Sequence, residues 1–237
     1  MRYALLPLAA ALLAVPIAAE AQSYRCAIPG GIPRPRADLP SASTPKRVLP
    51  IGGYTLALTW APQYCHEHSD DRSAKFECGS GNRFGFTLHG LWPDGEGKDW
   101  PQYCAATRIL PQGVIRQNLC ATPSAQLIQH EWAKHGTCMG TTPAAYFKRS
   151  TGLYAKLRYP DMDALSRQSL TAAALATAVA RVNPGVPANA IRVTVTKNGW
   201  LDELWLCLDR QFRYAACVPN SGGLKGSDPI KIWRGIR

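Results

Sequence analysis

The 237-residue sequence predicts an α+β fold: a central antiparallel sheet with several packed helices, in a single disulfide-stabilised domain. Three observations predict it. Segments rich in strand formers stand near both ends of the chain, and segments of helical character stand together between them, which is the segregation of an α+β architecture. Eight cysteines make an even set, as a disulfide framework requires. About 215 residues follow an N-terminal leader, enough for a proper core and consistent with one unit rather than two.

Arg2, an apolar stretch over residues 4–19 and the small-x-small sequence Ala19-Glu20-Ala21 read as a signal peptide over residues 1–21. A membrane anchor would need about 20 apolar residues, and Pro7, Pro16 and Glu20 interrupt this stretch. No later segment is apolar enough to span a bilayer, so a soluble, secreted or periplasmic mature protein is expected. Residues 22–53 carry Pro29, Pro33, Pro35, Pro40, Pro45 and Pro50 with little apolar periodicity, which predicts an extended or mobile arm tethered at Cys26. The main domain is expected over residues 54–237.

Residues 54–60 and 84–91 are rich in strand formers. Between them lies a charged loop in which His66 and His68, beside three acids, are expected to face solvent. Helices are expected at 124–135, entered at Pro123-Ser124 and stopped at Gly136, then at 143–157 and 170–182. Strands at 191–197 and 203–209 flank the turn pair Asn198-Gly199, and 214–218 reads as a last short strand. The net charge of +11 survives removal of the leader, because Arg2 and Glu20 leave together. Such a chain attracts polyanions, although a solvated basic face serving solubility gives the same number.

Two segments carry the chemistry. In His130-Glu131-Trp132-Ala133-Lys134-His135-Gly136-Thr137-Cys138, helical spacing puts His130, Glu131, Lys134 and His135 within an arc of roughly 140° and leaves Trp132 and Ala133 to the interior. A third histidine, His89, ends the apolar run of Phe86-Thr87-Leu88-His89-Gly90-Leu91-Trp92-Pro93-Asp94. Three histidines, a lysine and a glutamate without an evident nucleophilic Ser or Cys suggest acid–base chemistry on an anion. Simple i,i+4 surface pairing is the plainer reading of the helix, but a histidine that charges beside Lys134 is repulsive unless an anion joins them.

These two segments together resemble the active-site signatures of the ribonuclease T2 family, in order and nearly letter for letter. Residues 56–65 and 203–217 resemble its first core strand and its C-terminal strand and disulfide region, so the resemblance spans most of 54–218. It implies an endoribonuclease that cleaves single-stranded RNA without metal or cofactor, as a monomer, through a 2′,3′-cyclic phosphate to a 3′-phosphate end. It implies that His89 and His135 are the acid–base pair, with His135 as base and His89 as acid. Lys134, Glu131 and His130 would hold the phosphate, Trp92 would stack a base, and Asp94 would touch its edge. This chain has Thr59 where plant-type members often place Gln. The resemblance further implies bridges from Cys104 to Cys138, Cys65 to Cys78 and Cys207 to Cys217, leaving Cys26 to Cys120.

Two rivals are open at this point. His130-Glu131 and a nearby His135 suggest a zinc hydrolase, but zincins space their histidines four apart, and here they are five apart with Lys134 at the zincin position. No C-x-x-C pair favours zinc either. A noncatalytic RNA-binding scaffold is the second rival, and it has no need of both acid–base partners.

Overall fold

A computed structural model describes residues 23–79, 81–219 and 222–234. The leader expected over residues 1–21 lies outside the described residues. In chain order the elements are β1 (Ser23–Arg25), β2 (Ile51–Trp60), α1 (Ala61–Glu67), α2 (Lys75–Cys78), β3 (Arg83–Phe84), β4 (Phe86–Gly95), α3 (Gln112–Asn118), α4 (Ala125–Lys134), α5 (Pro143–Tyr154), α6 (Met162–Leu165), β5 (Leu170–Thr171), α7 (Ala172–Arg181), β6 (Ile191–Val195), β7 (Leu201–Leu208) and β8 (Pro229–Ile230).

Four of the strands form the central sheet in the order β4-β2-β7-β6, antiparallel throughout. Alternation sorts their side chains. Leu56, Leu58, Leu204 and Leu206 are completely buried and join Tyr146 and Phe147 of α5 and Leu175 and Val179 of α7 in one core. The register pairs Thr55 with Trp92 and Cys207, and Thr59 with Glu203, so the opposite face carries Thr55, Thr59, Trp92, Glu203 and Trp205. That polar, aromatic face holds the site.

A bulge in β4 shapes it. Ala57 pairs with Gly90 and Leu58 with Leu88, which leaves His89 as the extra residue between them. In an unbroken strand His89 and Trp92, three apart, would point to opposite faces. The bulge resets the alternation, and the two rings meet edge to face with centroids 5.0 Å apart.

Helix α4 starts where expected, with Ser124 accepting a hydrogen bond from the Leu127 amide as N-cap. It ends at Lys134, so His135 is the capping residue rather than part of the helix. Gly136 is required there: a Cβ would lie 2.3 Å from the Trp132 ring. Trp132 is core, as expected, and its indole donates to Thr107 Oγ1 at 2.7 Å. Four disulfides join Cys26 to Cys120, Cys65 to Cys78, Cys104 to Cys138 and Cys207 to Cys217.

Several expectations need correction. The charged loop after Cys65 is largely helical, since Pro62 at the first turn starts α1 and the Cys65–Cys78 bridge draws α2 against it. His66 is exposed but stacks on Trp233 with centroids 3.8 Å apart, and His68 stacks on Tyr64. Residues 170–182 are not one helix: Leu170 and Thr171 pair with Ile230 and Pro229, and Thr171 then caps α7. Residues 214–218 form no strand. Asp209 accepts from the amides of Gln211 and Arg213, and this tight turn leaves room for only a single bridge between Leu208 and Tyr214. The segment before β2 is irregular, as the prolines require, yet Ile28 and Ile32 pack against the core. Strand β2 itself begins at Ile51.

Candidate active site

The bulge of β4 and the C-terminal end of α4 bring the five expected polar residues together, and the sheet adds one that sequence reasoning missed. His89 Nδ1 lies 2.5 Å from Glu203 Oε1 on β7, and His89 Nε2 lies 3.6 Å from Glu131 Oε1. Glu203 is itself held: Oε2 accepts from the Trp205 indole at 2.6 Å, and Oε1 accepts from Thr59 Oγ1 at 3.0 Å. Thr59 thus has a structural task on this face of the sheet.

Glu131 is 1% exposed and its Oε2 accepts from the Trp92 indole at 2.9 Å. Gly90 makes that contact possible, because a Cβ there would fall 1.7 Å from Glu131 Oε2. Trp92 is half-buried: it also stacks on His135 at 5.6 Å and meets Trp205 edge-on at 5.7 Å. Asp94, on the same face, accepts from Thr55 Oγ1 through Oδ2 at 2.8 Å. On the other side of α4's end, His130 Nδ1 lies 2.6 Å from Asp38 Oδ2, and the rings of His130 and His135 are 6.3 Å apart. His135 is 5% exposed, and its Nδ1 finds no hydrogen-bond partner among the described residues.

The environments push the histidines in opposite directions. Burial opposes charge on His89, but its hydrogen bond to Glu203 and the charges of Glu131 and Glu203 outweigh this and raise it to about 9. Burial, reinforced by the positive charges of Lys134, His130 and His89, holds His135 well below the usual imidazole range. Burial pushes the Glu131 carboxyl up to about 7 against the pull of His89, Trp92 and Lys134. Burial also opposes the charge on Glu203, yet the bond and charge of His89 keep it below the ordinary carboxylate value. Near neutrality the site thus holds a protonated His89 and a neutral His135 beside a lysine, the separation that acid–base catalysis needs.

Donor atoms of His130, Glu131 and His135 lie within 4.8 Å of one another, close enough to share a cation. Lys134 on the same turn, whose charge adds to burial in lowering His130 and His135, opposes that arrangement and favours an anion.

Fold and site together define a disulfide-bonded α+β protein with three histidines, two glutamates and a lysine gathered on one face of its sheet. The model of the Ribonuclease T2 family matches residues 51–217, and the chain belongs to that family. A probable ribonuclease of Haemophilus influenzae is 31% identical over 183 residues, covering 71% of this chain and 61% of that protein. A ribonuclease of Aeromonas hydrophila is 34% identical over 108 residues, covering 45% of this chain and 46% of that one. The chain thus spans between about half and three fifths of these curated relatives' lengths. Among solved structures, the S-like ribonuclease trichomaglin superposes with a TM-score of 0.60 at 20% identity, covering 77% of this chain and 98% of that one. RNase NT, solved with 5′-AMP, superposes with a TM-score of 0.57 at 23% identity over 77% of this chain and 98% of that one. At these identities the superpositions establish the fold alone.

Proposed function

We propose that this protein is an exported, monomeric endoribonuclease that cleaves single-stranded RNA by metal-independent transphosphorylation. In this reading neutral His135 takes the proton of the ribose 2′-hydroxyl as the oxygen attacks its own phosphorus. The bond from phosphorus to the 5′-oxygen breaks, and protonated His89 gives that oxygen its proton. A 2′,3′-cyclic phosphate results, and water then opens it to a 3′-phosphate with the two histidines in reversed roles. Lys134, together with His130 once protonated beside Asp38, opposes the charge that develops on the phosphorane, and Glu131 fixes His89 and Trp92 around it. Trp92 and Asp94 border the base, with Asp94 Oδ1 available once Thr55 has taken Oδ2.

The observation that carries this reading is the pair of histidines held in opposite protonation states, with Lys134 at the end of the helix beside them. Export is supported by the leader pattern and by four disulfides, which persist in oxidising compartments. The decisive experiment is incubation of the mature protein with RNA and EDTA, followed by analysis of the ends produced. Cyclic phosphates formed at full rate are expected. Loss of cleavage in EDTA and its return with zinc would transfer the function to a metal site at His130, Glu131 and His135. His89→Ala and His135→Ala should each lower turnover by roughly 10²–10⁴-fold, with the double variant far from multiplicative. A folded single variant with near-normal turnover would remove that residue from the mechanism.

A further inference from the structure

The segment before β2 does more than hang from Cys26. Six prolines deny it helix and sheet, but its backbone is clamped along its length. The Cys26–Cys120 bridge holds its start, and Arg116 donates to the carbonyls of Pro29 and Gly30. At its end Arg47 exchanges two backbone bonds with Gln102, each 2.9 Å, and Gln102 Nε2 donates to Pro45 O at 2.7 Å. Between these anchors Pro35 is buried, and Arg36 makes a two-way contact with the Gln126 side chain, its amide donating at 2.9 Å and its carbonyl accepting at 3.3 Å. Gln126 stands one helical turn before His130 on α4. Two residues beyond the clamp, Asp38 arrives at His130 Nδ1 at 2.6 Å, while the Tyr103 hydroxyl donates to the same carboxylate at 3.3 and 3.4 Å.

We propose that residues 26–47 form a fixed strap whose Asp38 is a positioning residue for His130, completing the anion site from outside the family-matched region. The inference rests on the function proposed above. A half-buried carboxylate with two partners has been desolvated for a purpose, and here it binds the ring nitrogen that the substrate does not need. With Nδ1–H held by Asp38, the imidazole has one orientation, and the protonated ring, which Asp38 favours against burial and the charge of Lys134, donates Nε2–H to a phosphate oxygen. The charge of Asp38 also offsets the cations around His130, which are Lys134 on its own helix and His89 on the sheet, while His135 beyond the helix end is neutral. Tyr103, from the loop after β4, faces the same ring at 6.5 Å and steadies the carboxylate.

The test compares wild type, Asp38→Asn, Asp38→Glu, Tyr103→Phe and Asp99→Asn. The last removes the partner of Arg47 at the far end of the strap without touching His130. Inorganic phosphate is the binding probe, a dinucleoside phosphate is the substrate, and ¹⁵N-histidine NMR reads the His130 ring. Asp38→Asn should weaken phosphate binding and raise KM by about 10- to 100-fold, the loss expected for a charge-assisted hydrogen bond. Turnover should fall less, and the downfield Nδ1 proton of His130 should vanish. Tyr103→Phe should move the same readouts in the same direction by less, Asp38→Glu should restore part of the loss, and Asp99→Asn should change none of them. Unchanged affinity and an unchanged His130 resonance in folded Asp38→Asn would reduce the strap to a tether. Tighter phosphate binding would overturn the proposal in the opposite sense, making Asp38 a competitor of the substrate. Should wild type fail to cleave RNA, the proposed function fails, yet phosphate binding and the ring resonance still decide the role of Asp38.

Discussion

Glu203 sets the state of His89, and the consequence is a sign that can be measured. The proposed base must be neutral and the proposed acid protonated, so kcat/KM should rise with pH through a value below the ordinary 6.5 of an imidazole and fall near 9. Glu203→Gln weakens the hydrogen bond that raises His89 and removes one of the two charges that raise it, so the alkaline limb should move to lower pH while the acid limb stays. A pH–rate profile checks it, and an unmoved alkaline limb would assign that limb to another group. Stability follows the same sign, because a raised histidine contributes fully below 6.5 and its contribution is lost as pH climbs through about 9. Gly90→Ala is the complementary prediction. Its Cβ would overlap Glu131 and crowd the Trp92 indole at 2.8 Å, so turnover should drop by about 10²-fold, as misplacement by an ångström does. Wild-type turnover in that variant would remove the Glu131–Trp92 contact from the mechanism.

At the scale of elements, α4 delivers its residues at an end that three features lock. Gly136 allows close approach to Trp132, the Lys134 carbonyl accepts from the Tyr103 amide at 2.7 Å, and Cys138 is bridged to Cys104. The bridge spans 34 residues, so replacing both cysteines by alanine should cost about 3–4 kcal/mol by the loop-entropy argument. A lower melting temperature is expected, with reduced turnover even where the variant is fully folded, because His135 lies three residues before Cys138. Lost stability with unchanged turnover would show that the bridge stabilises without positioning. The helix and its cap were legible in the sequence, since Ser124, the apolar spacing and Gly136 are local signals. The bulge was not, because only pairing with Ala57 and Leu58 makes His89 the extra residue.

For the whole molecule the basic balance of +11 has a testable meaning. If the surface steers a polyanion, KM for long RNA should rise steeply between about 50 and 200 mM salt, as counterion release predicts. KM for a dinucleoside phosphate, which meets only the site, should change little. Equal and shallow salt dependence for both substrates would leave the charge a matter of solubility.

The sequence by itself determined the α+β class, the long strands, helix α4 and the residues His89, His130, Glu131, Lys134, His135, Trp92 and Asp94 as one site. These rest on local periodicity, caps and contiguous motifs, which a chain carries without being folded. Tertiary structure alone decided what sets the histidines apart. Glu203 lies 114 residues from His89 and Asp38 lies 92 from His130 in the sequence, and neither sits in either of the two segments that carry the histidines. Thr59 gained its task only across a strand pair, and Trp92, half-exposed, found Glu131, His135 and Trp205 as its neighbours. The physical reason is common to all four. A carboxylate shifts an imidazole, and a ring finds its neighbours, through contacts of a few ångströms that only sheet register and a docked strap can bring about.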